Sequence, residues 1–403
     1  MGKYVMWVGG GVVLLVALLL IYPNLFFRIS EPIRSGDLSL PGLYQPVTVH
    51  YDAYAVPHIY AENEHDLFFA AGYIMASERL FQMDLTNRAV QGRLAEMNAG
   101  LVAADKYLRT WGFHHIGRQI VPEMDPVTRQ IIQWSCDGIN VYINAHLDDL
   151  PLEFKLAGHR PLMWDPSIVT GFSRLQGENL NNAWSHELAV DQLRRVLGED
   201  QVRDLIPPYP GENLVDMPPA TDSLTGLLAA LTAIQQEMEP FLGSVGRFRG
   251  SNNWVVSGSR TATGYPLLAN DMHLGFSQPP VWYEMHLTGG RFNVRGVYFP
   301  GLPLAVSGNN GHIAWGPTYL TADDTDFYVE EVNPRDSTIY RYRDQWLPFT
   351  EREEIIQVKD GEPVVFTVRS TVHGVVINHL VSSLVSGDDH THHAKMGLEP
   401  PLR

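Results

Sequence analysis

Cysteine is almost absent: Cys136 is the only one in 403 residues. No intrachain disulfide can form, and neither can a metal site that needs several thiolates. Positive charge is scarce as well. Lys and Arg total 29 against 45 Asp and Glu, giving a net charge of −16. That balance argues against a surface built to follow a nucleic-acid backbone. The marks of several chemistries are missing too. There is no paired-histidine zinc motif, no P-loop, no dinucleotide-binding glycine pattern and no Gly-x-Ser-x-Gly elbow. The rest is ordinary, with 45% hydrophobic and 18% charged residues, 35 Gly and 27 Pro. This excludes disorder and collagen, and points to a turn-rich globular chain of two or three domains, or one large one.

Long apolar runs occur once. Tyr4 to Phe27 holds 24 residues without a charge, flanked by Lys3 and Arg28. About 20 apolar residues cross a bilayer as a helix. The run is longer than a usual signal-peptide core, and no clear A-x-A site follows it. It predicts a single-pass anchor in the cell membrane, with the bulk of the chain exported. The alternative is a cleaved signal sequence and a periplasmic or secreted protein.

Beyond a Pro-broken stretch at 28–50, apolar spacing predicts helices over Asp66–Ala99, Val127–Leu147 and Glu187–Leu197, with a shorter one over Thr225–Met238. Five prolines make 207–222 a loop. From Ser251 to about Val376 the pattern changes to short alternating segments separated by Gly, Asn, Asp and Pro, which predicts antiparallel sheet. His390, His392 and His393 near the end are metal-capable, but a solvated tail fits them better, since no carboxylate or thiol stands at a defined spacing.

The informative stretch runs from Gly250-Ser251-Asn252-Asn253-Trp254 through Gly264-Tyr265-Pro266-Leu267-Leu268-Ala269-Asn270-Asp271-Met272-His273-Leu274. Composition alone makes it a surface hairpin and does not single out Ser251. Its residues resemble the nucleophile region of the penicillin acylase family, a branch of the N-terminal-nucleophile hydrolases, with Met272 where that family has proline. The resemblance continues in Pro300-Gly301-Leu302-Pro303, in Gly308 to Gly316 and in Thr318 followed by Asp323 to Asp326. Upstream it includes Val56-Pro57-His58-Ile59, Glu78 to Asp84 and Gly92 to Glu96.

That resemblance implies an α+β fold, the αββα four-layer sandwich, only partly present in a chain that reads as C-terminally incomplete. It divides the chain into an anchor or signal (1–28), a mostly helical first subunit (29–222), a spacer (223–250) and the start of a β-rich nucleophile subunit (251–403). It implies a zymogen that cuts itself between Gly250 and Ser251, its α and β chains staying associated. The freed α-amine of Ser251, with a pKa near ~8, then serves as the base for its own hydroxyl. Glycine before the serine suits a distorted backbone. The backbone N–H of Tyr319 is implied as an oxyanion donor. A second donor, an asparagine, and a supporting arginine belong farther downstream in the family. His273 matches a position that contacts the nucleophile, with a structural histidine as the alternative; Asn270 and Asn310 fit turn bracing as well as substrate contact. One structural Ca²⁺ is implied at Glu187, Asp323, Thr325 and Asp326, and oxygen donors suit that ion. The implied substrate is a small-molecule amide, either penicillin-like or an N-acyl amide such as an acyl-homoserine lactone. Leu175 to Asn182 lacks the aromatic and Met side chains with which relatives line the acyl pocket. The competing readings are a catalytically inactive, membrane-anchored remnant and an unrelated β-rich calcium-binding exported protein.

Overall fold

The computed structural model describes residues 32–180, 183–206, 222–242, 250–319, 325–381 and 394–397. The run Tyr4–Phe27, Asp323 and the three tail histidines lie outside them, as does all but one residue of the 207–222 loop. Among the described residues no helix is long and apolar enough to cross a membrane.

Helix dominates up to residue 242 and strand dominates from Gly250, so the chain is a mixed α/β protein. The helices used below are α1 (Glu64–Gln91), α2 (Val102–Trp111), α3 (Phe113–Ile120), α4 (Pro126–Ala145), α5 (Leu152–Ala157), α6 (Pro166–Leu180) and α7 (Ala183–Leu197). The strands are β1 (Thr48–Tyr51), β2 (Pro57–Tyr60), β3 (Gly250–Val256), β4 (Leu267–His273), β5 (Tyr283–Gly289), β6 (Phe292–Tyr298) and β7 (Ser307–Asn309). Contacts divide the chain into two compact units. One comprises Met1–Asp84, Gln130–Asp165 and Trp282–His312; the other comprises Leu85–Arg129, Pro166–Val281 and Ile313–Arg403. Both draw on residues from either side of Gly250.

In the first unit, α1 starts at an Asn63 cap whose side-chain oxygen accepts from the Asp66 N–H at 2.9 Å. Asp66 is buried and accepts in turn from the N–H groups of Tyr44 (2.9 Å) and Gln45 (3.0 Å). Burial by itself raises its pKa, but these bonds and those from Asn63 and His65 outweigh it and hold the carboxyl below its usual range. Helix α1 is buried all round from Leu67 through Ala76. It touches α4 backbone to backbone. A Cβ on Gly72 would stand 2.1 Å from the Ser135 carbonyl oxygen, and one on Gly138 would stand 1.9 Å from that of Phe69. The sheet of this unit runs β1-β2-β5-β6-β7; β2 and β5 are parallel, and the other neighbours are antiparallel. Tyr283, Met285 and Leu287 alternate into the core, and the Phe68 and Phe292 rings meet edge to face at 5.0 Å. The opposite face carries His58 and His286.

The second unit takes the last turns of α1, from Leu85, and the helix ends at Gly92 (φ +61). The helix stops there instead of running on to Ala99 as the apolar spacing suggests. The buried carboxylate of Asp105 on α2 accepts from the N–H groups of Leu94 (2.8 Å) and Ala95 (2.7 Å) in the short turn that follows. Helices α3 and α6 pack closely at Gly117, where a Cβ would stand 2.2 Å from the Ser167 carbonyl oxygen. The helix Asp222–Leu242 buries Ala230, Leu231, Ile234 and Met238. It is longer at both ends than the expected Thr225–Met238. Strands Thr350–Ile356 and Val364–Thr371 form a seven-pair antiparallel hairpin. The β3–β4 hairpin stands as a two-stranded sheet of its own, with Trp254 64%, Val255 73% and Leu267 56% exposed.

Candidate active site

Strands β3 and β4 pair over seven residues, from Gly250↔His273 to Val256↔Leu267, with Ser251 opposite Met272. Alternation along a strand then sorts the polar side chains. Gly250, Asn252, Asp271 and His273 belong to one face, and Ser251, Asn253, Asn270 and Met272 to the other. The surface hairpin expected from composition is therefore what forms, and it carries the candidate residues at its open end.

Ser251 is half-buried, and its hydroxyl donates to the Gly250 carbonyl oxygen at 2.6 Å. The Ser251 hydroxyl thus lies beside the carbonyl of the Gly250–Ser251 peptide bond. A hydrogen bond to the oxygen is not the approach needed at carbon, so a rotation about χ1 separates the two arrangements. Gly250 does not have a positive φ. The small residue leaves room for a neighbouring ring. A Cβ there would lie 3.3 Å from His273 Nδ1. The His273 ring is therefore beside Gly250, across the hairpin from the Ser251 side chain. Its Nε2 lies 3.0 Å from Asp271 Oδ2 and 3.3 Å from Asn252 Nδ2.

Two asparagines on the Ser251 face hold a second segment. Asn253 Nδ2 donates to the Gly316 carbonyl (2.6 Å), and Asn270 Nδ2 donates to the Pro317 carbonyl (2.8 Å). Gly316 has no room for a side chain: its Cβ would lie 2.6–2.7 Å from three atoms of Asn270. The segment leading into Thr318 and Tyr319 is thereby tied to the hairpin, and Tyr319 is half-buried. Asn270 Oδ1 is buried without a hydrogen-bond partner among the described residues. Asn310, in the other compact unit, braces a turn by accepting from the His312 N–H at 3.0 Å.

The expected calcium ligands are only partly described. Glu187 lies on α7, its side chain outside the described set; Thr325 is buried; Asp326 opens the strand Asp326–Val329 with an exposed side chain. Among the described residues no three His, Cys, Asp or Glu side chains form a metal cluster. The oxygen chemistry of the four suits Ca²⁺.

Asn252, Asn253, Asp271 and Gly316 were not singled out from the sequence. The available signal was period-2 alternation: once two strands were placed, it assigned Asn253 to the face of Ser251 and Asp271 to that of His273.

The penicillin amidase family model matches residues 46–399. The chain belongs to the penicillin amidase family. It is 32% identical over 359 residues to the acyl-homoserine lactone acylase QuiP of Pseudomonas aeruginosa, an alignment covering 87% of this chain and 42% of that protein. It is 32% identical over 354 residues to the penicillin acylase 2 proenzyme of Pseudomonas sp. strain SE83, covering 86% and 45%. With the penicillin G acylase of Escherichia coli the figures are 28% over 401 residues, covering 84% and 47%. The chain thus spans less than half the length of these curated relatives. Among solved structures, the tetragonal form of thermostable penicillin G acylase from Alcaligenes faecalis matches with a TM-score of 0.34 at 25% identity, covering 44% of this chain and 100% of that one.

Proposed function

We propose that this penicillin amidase family member is the self-processing part of an acylase that hydrolyses linear amides, with Ser251 as nucleophile in a four-layer N-terminal-nucleophile fold. The observation that carries the reading is the Ser251 hydroxyl lying 2.6 Å from the carbonyl oxygen of Gly250. In the processing step Ser251 Oγ adds to the Gly250 carbonyl carbon and its proton passes to the Ser251 nitrogen. The C–N bond breaks to leave an ester, and water hydrolyses that ester to a Gly250 carboxylate and a free Ser251 α-amine. The α-amine then takes the hydroxyl proton during attack on a substrate amide and returns it to the leaving amine. The N–H of Tyr319, carried on the segment that Asn253 and Asn270 hold, stabilises the oxyanion; removing such a donor costs about 3 kcal/mol in the barrier. His273 acts on the Gly250 side of the cut.

The acyl group is either penicillin-like or that of an N-acyl-homoserine lactone. The 32% identity to proteins named for each keeps both substrate classes in the proposal. Calcium, held by Glu187, Asp323, Thr325 and Asp326, serves as a structural ion. An N-terminal membrane anchor is part of the same proposal.

Denaturing gel electrophoresis tests the central step. The chain is expected to appear as two fragments whose smaller member begins at Ser251, and Ser251→Ala is expected to stay whole. A wild-type chain that remains uncut, or an S251A chain that is cut at the same bond, sinks the reading. The same preparations melted with and without a calcium chelator test the ion: a Tm unchanged by chelation removes it from the proposal.

A further inference from the structure

We propose that His58 and His286, on the open face of the β1-β2-β5-β6-β7 sheet, bind a divalent transition-metal ion, Cu²⁺ above the others. The two residues are direct partners in the parallel β2–β5 ladder, and their Nδ1 atoms lie 3.0 Å apart. What matters is the other nitrogen of each ring. His58 Nε2 faces the Asp52 carboxylate at 3.7 Å. His286 Nε2 lies 2.9 Å from Asn293 Oδ1 and 3.1 Å from Thr288 Oγ1. In the metal-free chain one Nδ1 donates to the other at 3.0 Å; a metal ion takes the place of that hydrogen, which passes to Nε2 of its own ring, where His286 has Asn293 Oδ1 as acceptor and His58 faces Asp52. A carboxylate or carbonyl oxygen on the far ring nitrogen is the outer support that metal-binding histidines use.

The spacing selects the class of ion. With metal–nitrogen bonds of about 2.05 Å, two nitrogens 3.0 Å apart subtend about 95° at the metal. That is the angle between neighbouring ligands in a square or octahedral site and is well short of a tetrahedral one. Imidazole ligands at this angle suit Cu²⁺ and Ni²⁺, and Cu²⁺ heads the divalent series in affinity. Access is open, with the His58 side chain 21% exposed. His50 lies in the same row, as the antiparallel partner of His58. It is exposed, its ring 5.9 Å from that of Tyr60. Opposed residues in such a pair have Cβ atoms about 5 Å apart, so His50 supplies a third ligand by side-chain rotation, and water completes the shell. Asp52 is fixed for its part by the N–H groups of Val56 (3.0 Å) and Tyr54 (2.8 Å).

The test titrates the full chain with CuCl₂ by calorimetry and by electron paramagnetic resonance. His390, His392 and His393 are replaced by Gln throughout, so that the tail does not contribute. One Cu²⁺ per chain with nitrogen hyperfine splitting is expected. His58→Gln and His286→Gln should each weaken binding at least about tenfold, and Asp52→Asn and Asn293→Ala, which keep both rings, should weaken it about tenfold through lost orientation. Metal-free melting curves establish that each variant folds; where a histidine variant does not, the Asp52 and Asn293 variants decide. Absence of Cu²⁺ binding in the tail-substituted chain, or affinity unchanged by the folded variants, overturns the site.

Discussion

Asn270 links two parts of the candidate site through one amide, donating to the Pro317 carbonyl while its own oxygen stays buried and, among the described residues, unpaired. Gly316 makes that possible by leaving the space the asparagine fills. Gly316→Ala should therefore displace Asn270 and free the segment that carries Tyr319. Losing one buried hydrogen bond costs about 1–3 kcal/mol, and each 1.4 kcal/mol is about tenfold in rate. The half-time of self-cleavage, followed on gels after rapid dilution from denaturant, is expected to lengthen about tenfold or more. Gly177→Ala is the control. A Cβ there meets nothing within 4 Å, and the residue lies in α6. It should leave processing unchanged and stabilise the fold by about 0.5–1 kcal/mol. Equal rates in the two variants would remove Gly316 from the site's architecture. At this scale the sequence was a partial guide. It offered Ser251 only through a resemblance, because a serine in a Gly/Asn-rich turn has no distinguishing physics until its partners are placed. Asn253 and Gly316 are 63 positions apart, and no local pattern joins them.

Elements show a similar division. Strands from Gly250 onward were legible, since alternation survives when one face of a sheet is exposed. The helices Glu64–Gln91 and Pro126–Ala145 were legible through length and apolar content. Helices α2, α3, α5 and α6 were not. Three of them have ten residues or fewer, less than the window of about 11–18 residues in which helical spacing is read, and Gly112 (φ +73) joins α2 directly to α3; α6 has 15 residues. What fixes them is tertiary: the Asp105 carboxylate, and the Thr110 hydroxyl 2.8 Å from His379 Nε2. These two anchors have opposite consequences for acid stability. Burial raises Asp105 to about 6, so between the unfolded carboxylate value near ~4 and pH 6 the native state holds more protons. Its contribution is largest at low pH and is lost as pH rises through 6. Burial, with Lys106 nearby, lowers His379 to about 4. Its contribution is complete above the unfolded value near ~6.5 and is lost as pH falls towards 4. Each amounts to about 3 kcal/mol at most, so stability should be nearly flat between pH 4 and 6. Denaturant melts across this range should show Asp105→Asn gaining stability as pH rises relative to the parent, and His379→Gln the reverse. Parallel profiles for parent and both variants would mean the two groups do not set the acid response.

Across the whole molecule, cleavage after Gly250 would fall inside the Pro166–Val281 segment of the second compact unit and leave each unit with chain on both sides of the cut, so it would not separate one unit from the other. The first unit holds β1, β2 and α4 from one side of the cut, and β5, β6 and β7 from the other. The parallel β2–β5 ladder joins the two sides through His58↔His286, Ile59↔Leu287 and Tyr60↔Thr288. Ile59 is fully buried and Leu287 is 2% exposed. Burying side chains of this size contributes about 1.5–3 kcal/mol each, beside the ladder bonds. Sequence order, with helices first and strands second, suggested two consecutive bodies; it could not reveal that a strand near residue 59 lies beside one near 287, because pairing at that separation has no local signature. The two proposed fragments should therefore elute together under native conditions and separate only in denaturant. Leu287→Asp, introduced into the same chain, places a charge where no partner or water compensates it, at a cost of several kcal/mol. It should release the fragments or prevent their accumulation, while Leu304→Asp, at a residue 52% exposed, should leave them associated. Size-exclusion chromatography of the cut protein distinguishes the cases, and native separation of the wild-type fragments would contradict the β2–β5 join as their common core.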